Sequence, residues 1–92
     1  MQRVTDKDLQ AIVNRLNRML NQPVQPYTKT DSGFKVNIGN FHLSHAYGGV
    51  CLHRMVNDGG GVTDVLYCGH VPKRELQTAM FAFIKGLEIA QS

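Results

Sequence analysis

The N-terminal part of the chain carries a helical pattern. Apolar residues recur three or four positions apart between residues 9 and 20, which is the spacing of one face of an α-helix. Thr5 precedes this run and Asp8 stands three residues later, so the two can form a capping box at the helix start. Pro23 disfavours helical geometry in the residue before it, which predicts that the helix ends at residues 21–23. The opposite face of this predicted helix carries Lys7, Asn14, Arg15 and Arg18.

The pattern then changes to a two-residue alternation, which is typical of strands with one buried face. Phe34, Val36 and Ile38 alternate with polar residues, and a second alternating run spans residues 41–47. Gly39-Asn40, between the two runs, suits a two-residue hairpin turn. A further short strand is predicted at residues 27–29.

A β-hairpin is predicted next, with strands at residues 50–57 and 62–68. Asp58 and the three glycines after it can reverse the chain, because glycine adopts positive φ at almost no steric cost. If the loop is residues 58–61, the pairing places Cys51 opposite Cys68. The same register puts His53 and His70 on one side of the hairpin.

The last element is a second helix that begins near Pro72, since proline is favoured at the first helical position. Its apolar stripe runs from Leu76 to Leu87. Phe81 lies well off that stripe, which is typical of a partner surface or of a helix covered by a second copy of the chain. Tyr47, beside two glycines, can likewise form a close-contact surface.

Together these elements predict one α+β domain over residues 1–92. It has an N-terminal helix, a three- to four-stranded antiparallel β-meander and a C-terminal helix, with both helices on one face of the sheet. An apolar content of 42% is ordinary for a globular chain. The chain starts without an apolar leader and contains no membrane-length apolar run, and it has only two cysteines, so we expect it in a reducing cytoplasm.

The two Cys-x-His pairs of the predicted hairpin raise the question of a metal site. Zinc takes four nitrogen or sulfur ligands in a tetrahedron, and two such pairs on neighbouring strands could supply them. However, residues two apart on a strand are spaced about 6.5 Å, and the spacing matches no standard zinc finger. We favour two buried free thiols with no metal or other cofactor, and keep zinc and a disulfide as alternatives. The residues concerned are Cys51, His53, Cys68 and His70. His42 and His45 fall on opposite faces of a strand, so they are a weak ligand pair.

Charge and candidate chemistry favour binding over catalysis. A formal charge of +3 suits an acidic partner without establishing nucleic-acid binding. No serine or cysteine has a recognisable base and orienting residue, and the acidic residues are scattered. Lys73 and Arg74 open the second helix, where positive charge opposes the helix dipole and is consistent with an anionic partner. The alternative is that the basic face is simply solvated.

A resemblance adds to this interpretation. Residues 46–61, from Ala46-Tyr47-Gly48-Gly49 to Gly61, resemble a segment of small proteins encoded by tailed phages and prophages. The resemblance extends to residues 73–76 and 82–87, and so covers about the C-terminal half. In length and mixed α/β plan the chain is also similar to some anti-CRISPR proteins, including inhibitors of the type I-F surveillance complex.

The resemblance implies a non-enzymatic phage protein that binds a host Cas protein–guide RNA complex in the host cytoplasm. Steric blocking would then prevent target DNA recognition. The predicted contacts to guide-RNA phosphates or acidic protein residues are Lys7, Asn14, Arg15, Arg18, Lys73 and Arg74, with Tyr47 and Phe81 as apolar anchors. The alternatives are a small DNA- or RNA-binding regulatory protein and, third, a metal- or small-ligand-binding protein.

Overall fold

The computed structural model describes residues 3–91 and shows an α+β protein with a helix at each end of the chain. This confirms the predicted fold class. In chain order the elements are α1 (Asp6–Met19), β1 (Tyr27–Thr30), β2 (Gly33–Val36), β3 (Phe41–Ala46), β4 (Gly49–Met55), β5 (Val62–Asp64) and α2 (Lys73–Gln91).

Helix α1 starts and ends close to the predicted positions. The Thr5 hydroxyl accepts a hydrogen bond from the Asp8 backbone N–H (3.2 Å), and the Asp8 carboxylate accepts one from the Thr5 N–H (2.9 Å). The predicted capping box is therefore confirmed. At the other end, Asn21 adopts a positive φ of 54°, which turns the chain before Pro23.

The strands form two antiparallel sheets, so the prediction of a single sheet was wrong. β1 pairs only with β2, and the second sheet has the order β3-β4-β5. The predicted two-residue turn at Gly39-Asn40 was wrong: the turn is centred on Ile38 and Gly39, with Asn40 donating its N–H to the Asn37 carbonyl (3.2 Å). It joins strands of different sheets. Gly39 donates its N–H to the Met55 carbonyl, and Met55 donates to the Asn40 carbonyl. The alternation also predicts that Phe34 is buried on one face of its strand. This was wrong, because Phe34 is 73% exposed on the β1–β2 ribbon.

The β4–β5 hairpin has a different register from the predicted one. Met55 pairs with Val62 and His53 with Asp64, where the short strand β5 ends. The turn is tightened by the side chain of Asn57, whose Oδ1 accepts hydrogen bonds from two glycine N–H groups. Beyond β5, Asp64 bends the chain by accepting hydrogen bonds from the backbone N–H groups of Leu66 and Gly69.

One hydrophobic cluster joins both helices to the three-stranded sheet. Its strand residues Phe41, Val50 and Leu52 lie on one side of β3 and β4, as the register requires. Asn17 is fully buried within this layer: its side-chain amide donates to the Phe41 carbonyl (2.9 Å) and its Oδ1 accepts from the Phe41 N–H (2.8 Å). The helical members of the cluster are Leu9, Ile12, Val13, Leu16, Leu76, Met80 and Ile84.

The two helices run in the same general direction. Asp6 at the start of α1 lies 3.4 Å from Lys73 at the start of α2, and Arg15 near the end of α1 pairs with Glu88 near the end of α2. Both helix N-termini therefore lie at one end of the molecule. Within residues 3–91, neither helix has the length and apolar character needed to cross a membrane.

Candidate functional site

A basic opening lies at the end of the molecule where both helices begin. Arg3, Lys73 and Arg74 line it together with Gly48 of the β3–β4 turn and Pro72, and its volume is about 620 Å³. We call this opening the basic cleft. Lys73 and Arg74 were predicted contact residues. Arg3 was missed because only the parallel course of the helices brings it to the start of α2, and its sequence position two residues before the N-cap gave no signal of this.

A carboxylate of α1 contacts one side chain from each of two other elements beside the basic cleft. The Asp6 Oδ1 atom lies 3.0 Å from His45 Nε2 on β3 and 3.4 Å from Lys73 Nζ on α2. These contacts, first of all the hydrogen bond with His45, lower the pKa of Asp6 below its ordinary value. All three side chains are exposed, so the pairs stabilise the fold little. They partly neutralise Lys73 and fix where it lies.

The other predicted basic contacts do not join the cleft. Arg15 is engaged with Glu88, and the Asn14 side chain accepts a hydrogen bond from Gln10 one helical turn earlier. Lys7 and Arg18 are exposed on α1. The predicted basic face is thus divided into the basic cleft and a helical flank whose Arg15 charge is already paired.

A second opening, the interhelical groove, lies between α1 and α2. Ala11 and Ile12 on one side and Phe81 on the other give it an apolar patch, and its volume is about 380 Å³. Asp8 and Gln77 also line it. Arg3 and Arg74 line this groove as well as the basic cleft, so the two openings are contiguous. Phe81 is 48% exposed here, which fits its predicted position off the core stripe.

Tyr47 is the most exposed large hydrophobic residue of the described part of the chain, at 98%. With Gly48 it forms the two-residue turn between β3 and β4, and both have positive φ (55° and 75°). A left-handed conformation costs a non-glycine residue roughly 1–2 kcal/mol, and asparagine or glycine is the usual occupant. An exposed tyrosine kept at this cost is a reasonable partner-binding group.

A row of imidazole rings extends from Tyr47 across the sheet face that points away from the core cluster. The ring centroids of Tyr47 and His70 are 5.8 Å apart, and those of His70 and His53, and of His53 and His42, are each 5.9 Å apart. We call these three histidines the histidine face. The prediction that His53 and His70 share a side is confirmed, as is the placement of His42 and His45 on opposite faces.

Burial and neighbouring charges lower the pKa values of two residues of the histidine face, His42 and His53. The pKa of His42 is lowered by burial and then by the neighbouring His53, and the pKa of His53 is lowered by burial and then by His70. The negative charge of Asp64, opposite His53, raises the pKa of His53, but this effect is smaller than the other two. Protonating His42 and His53 is therefore unfavourable in the folded protein.

The predicted strand pairing of Cys51 with Cys68 was wrong, and so was the predicted burial of Cys68. Cys51 is buried opposite Ser44, whereas Cys68 is exposed beyond β5, and both are free thiols. Burial, followed by the nearby Asp64, raises the pKa of Cys51 to about 12, so it is a protonated thiol at neutral pH. In residues 3–91 no three His, Cys, Asp or Glu side chains are arranged to hold a metal ion. This placement gives the zinc alternative no support.

One contact resembles a catalytic pair. The Ser44 Oγ atom lies 3.1 Å from His70 Nε2. A serine nucleophile also needs its histidine oriented by a third group, but the nearby Asp64 pairs across the strands with His53 and accepts backbone hydrogen bonds. The non-enzymatic interpretation stays a prediction.

No family model, curated protein or solved structure matches this chain. The similarity to phage-encoded proteins stays a prediction based on residues 46–61, 73–76 and 82–87.

Proposed function

We propose that this protein is a non-enzymatic inhibitor that binds a host defence ribonucleoprotein and blocks it sterically. The observation that carries the proposal is the basic cleft, where Arg3, Lys73 and Arg74 line one opening at the end of the molecule. Guanidinium and ammonium groups recognise phosphates and carboxylates through charge-assisted hydrogen bonds. The partner should therefore present anionic groups.

The surroundings of the cleft strengthen the case for a macromolecular partner. Phe81 and Tyr47 are both exposed, and aromatic residues together with arginine are enriched among the residues that dominate binding energy. The first turns of both helices lie at this end, and helix N-termini favour nearby negative charge. The acidic residues of α1 offset part of this potential, since Asp6 pairs with Lys73.

The class of partner comes from the sequence resemblance. Similarity to small phage proteins and to type I-F anti-CRISPR proteins selects a CRISPR surveillance complex in the host cytoplasm, which offers both guide-RNA phosphates and acidic protein surfaces. Bound there, the protein would prevent target DNA from pairing or stop a required movement. Lys7, Arg15 and Arg18 on the helical flank would make outer contacts.

The test is affinity capture from a host lysate that expresses the complex, with and without nuclease treatment, followed by analysis of the bound protein and RNA. Recovery of a discrete Cas–guide RNA complex from both samples is expected. Recovery of nucleic acid alone, lost after nuclease treatment, would contradict the proposal.

A second candidate function is direct binding of single-stranded DNA or RNA by a small regulatory protein. It is favoured by the row of rings that starts at Tyr47 and continues along the histidine face, because bases stack on exposed aromatic side chains. Binding of naked oligonucleotides at physiological salt would support this alternative. Binding that requires the intact complex would support the first proposal.

A further inference from the structure

The interhelical groove differs from the basic cleft in its lining. Ala11 and Ile12 on α1 and Phe81 on α2 form its apolar part, and Asp8 and Gln77 add polar side chains to the same two sides. Cationic groups, Arg3 and Arg74, line it where it meets the basic cleft. The groove thus combines an apolar patch with polar and positively charged side chains next to it.

Phe81 is not needed to fill the core. The buried residues of α2 are Leu76, Met80 and Ile84, and their spacing already forms the helical stripe that contacts the cluster. Phe81 lies on another side of α2, half-exposed in the groove. An apolar side chain from a partner could bury this ring, which would remove apolar surface from water.

The charged residues that line the groove indicate which charge the partner should carry next to that apolar side chain. Arg3 and Arg74 contribute two positive charges, against one negative charge from Asp8. The Asp8 carboxylate is engaged in the capping box, where it accepts the Thr5 N–H, and this hydrogen bond lowers its pKa. An acidic residue of the partner therefore complements the groove where it meets the basic cleft.

We infer that the interhelical groove is the docking site for an acidic protein segment that inserts one bulky apolar side chain beside Phe81. A nucleic-acid strand fits less well, because it carries a phosphate at every nucleotide while Ala11, Ile12 and Phe81 offer those phosphates no charge. The volume of about 380 Å³ leaves room for a bulky apolar side chain together with neighbouring residues of its segment. The inference rests on the proposed function in one respect, the recognition of an anion by Arg3 and Arg74.

The test is an NMR titration of the full chain, labelled with nitrogen-15, with synthetic peptides of about ten residues. The probe peptide is rich in Asp and Glu and has a central Leu. One control peptide has Lys in place of the acidic residues, and another keeps them but has Ala in place of Leu. Oligouridine of about the same length is the nucleic-acid probe. We expect the acidic Leu peptide to perturb the amides of Ala11, Ile12, Gln77 and Phe81, and the control peptides to bind at least about tenfold more weakly.

A matched pair of variants distinguishes binding at this site from non-specific binding to exposed apolar side chains. Phe81→Ala should weaken binding of the acidic Leu peptide about tenfold, whereas Phe34→Ala, which removes an exposed phenylalanine from the β1–β2 ribbon, should leave it unchanged. Thermal unfolding of both variants shows whether each is folded. Equal loss in the two variants, equal binding of the Lys peptide, or oligouridine binding at the same amides would overturn the inference.

The two proposals can fail separately. If the acidic peptide binds the groove but no ribonucleoprotein is captured, the inhibitor function is wrong and the docking site stands. If the ribonucleoprotein binds and Phe81→Ala changes neither its affinity nor that of the peptide, the docking site is wrong and the inhibitor function stands.

Discussion

The basic cleft and the histidine face carry positive or potentially positive charge in different ways. In the cleft, the exposed side chains of Arg3 and Arg74 line an opening at the surface of the molecule. On the histidine face, half-buried imidazoles are packed ring against ring, and burial lowers the pKa of His42 and His53. The comparison teaches that the fold gathers arginine and lysine side chains at the helix starts, whereas burial on the sheet face disfavours the charged forms of His42 and His53.

The largest expected effect is loss of partner binding when the charge of the basic cleft is reversed. The double variant Lys73→Glu/Arg74→Glu should bind the captured complex about 100-fold more weakly, or about 2.8 kcal/mol, and its affinity should depend less on salt. Glutamate is favoured in the first turn of a helix, so α2 should still form. Biolayer interferometry across a range of salt concentrations measures both quantities.

The matched control is Lys29→Glu/Lys35→Glu, which makes the same change in net charge on the exposed β1–β2 ribbon. If both double variants lose affinity equally, overall charge rather than the cleft attracts the partner, and the contrast between the two regions is lost.

The next largest effect concerns the residue that joins the helical layer to the sheet. Asn17→Ala should lower the free energy of unfolding by about 1–3 kcal/mol, because it removes two hydrogen bonds to the buried backbone of Phe41. Asn14→Ala on the same helix is the control, since Asn14 bonds only to Gln10 among the contacts described. Urea denaturation compares them, and equal losses would mean that the link through Asn17 is unimportant.

A smaller effect is expected at the turn between the two regions. Tyr47→Asn should raise the free energy of unfolding by about 0.5–1 kcal/mol, because asparagine tolerates the left-handed conformation better than tyrosine. If Tyr47 is a partner anchor, the same variant should bind the captured complex more weakly. A variant that is less stable than the wild type would show that the ring contact with His70 outweighs the backbone cost.

The smallest expected effect is a pH dependence that comes from the histidine face. Because the pKa values of His42 and His53 are lowered in the folded state, the unfolded chain binds more protons. Their contribution to stability is therefore full above the ordinary pKa of 6.5 and is lost as the pH falls below it. His53→Gln should reduce the difference in stability between pH 7.5 and pH 5.5, measured by urea denaturation.

The control for this pH dependence is His45→Gln, which removes an imidazole that contacts Asp6 on the other side of β3. If His45→Gln reduces the difference between the two pH values and His53→Gln does not, the acid sensitivity belongs to the helix starts and not to the histidine face.

Local features of this molecule could be predicted from the sequence, and features set by long-range packing could not. The capping box at Thr5 and the off-stripe position of Phe81 follow from residue spacing along one helix, and both predictions match the structure. The exposure of Phe34 could not be predicted, because alternation shows that a strand has two different faces and not that anything covers one of them.

The candidate site was predicted only in part, because some of its residues are adjacent in sequence and others are brought in by long-range packing. Lys73 and Arg74 stood out at the start of a helix, but Arg3 and Gly48 join them only in the folded structure, where the N-terminal segment and the β3–β4 turn meet the start of α2. The predicted pairing of Cys51 with Cys68 was wrong because the side chains of Asn57 and Asp64 shape the turns around β5 and shift the register.

The most direct test of the inhibitor proposal is target DNA binding by a purified type I-F surveillance complex, measured by electrophoretic mobility with increasing amounts of this protein. The account predicts that the wild-type protein abolishes the DNA complex at a stoichiometric ratio, and that Lys73→Glu/Arg74→Glu does so only at much higher concentration. Undiminished DNA binding in the presence of excess wild-type protein would contradict it.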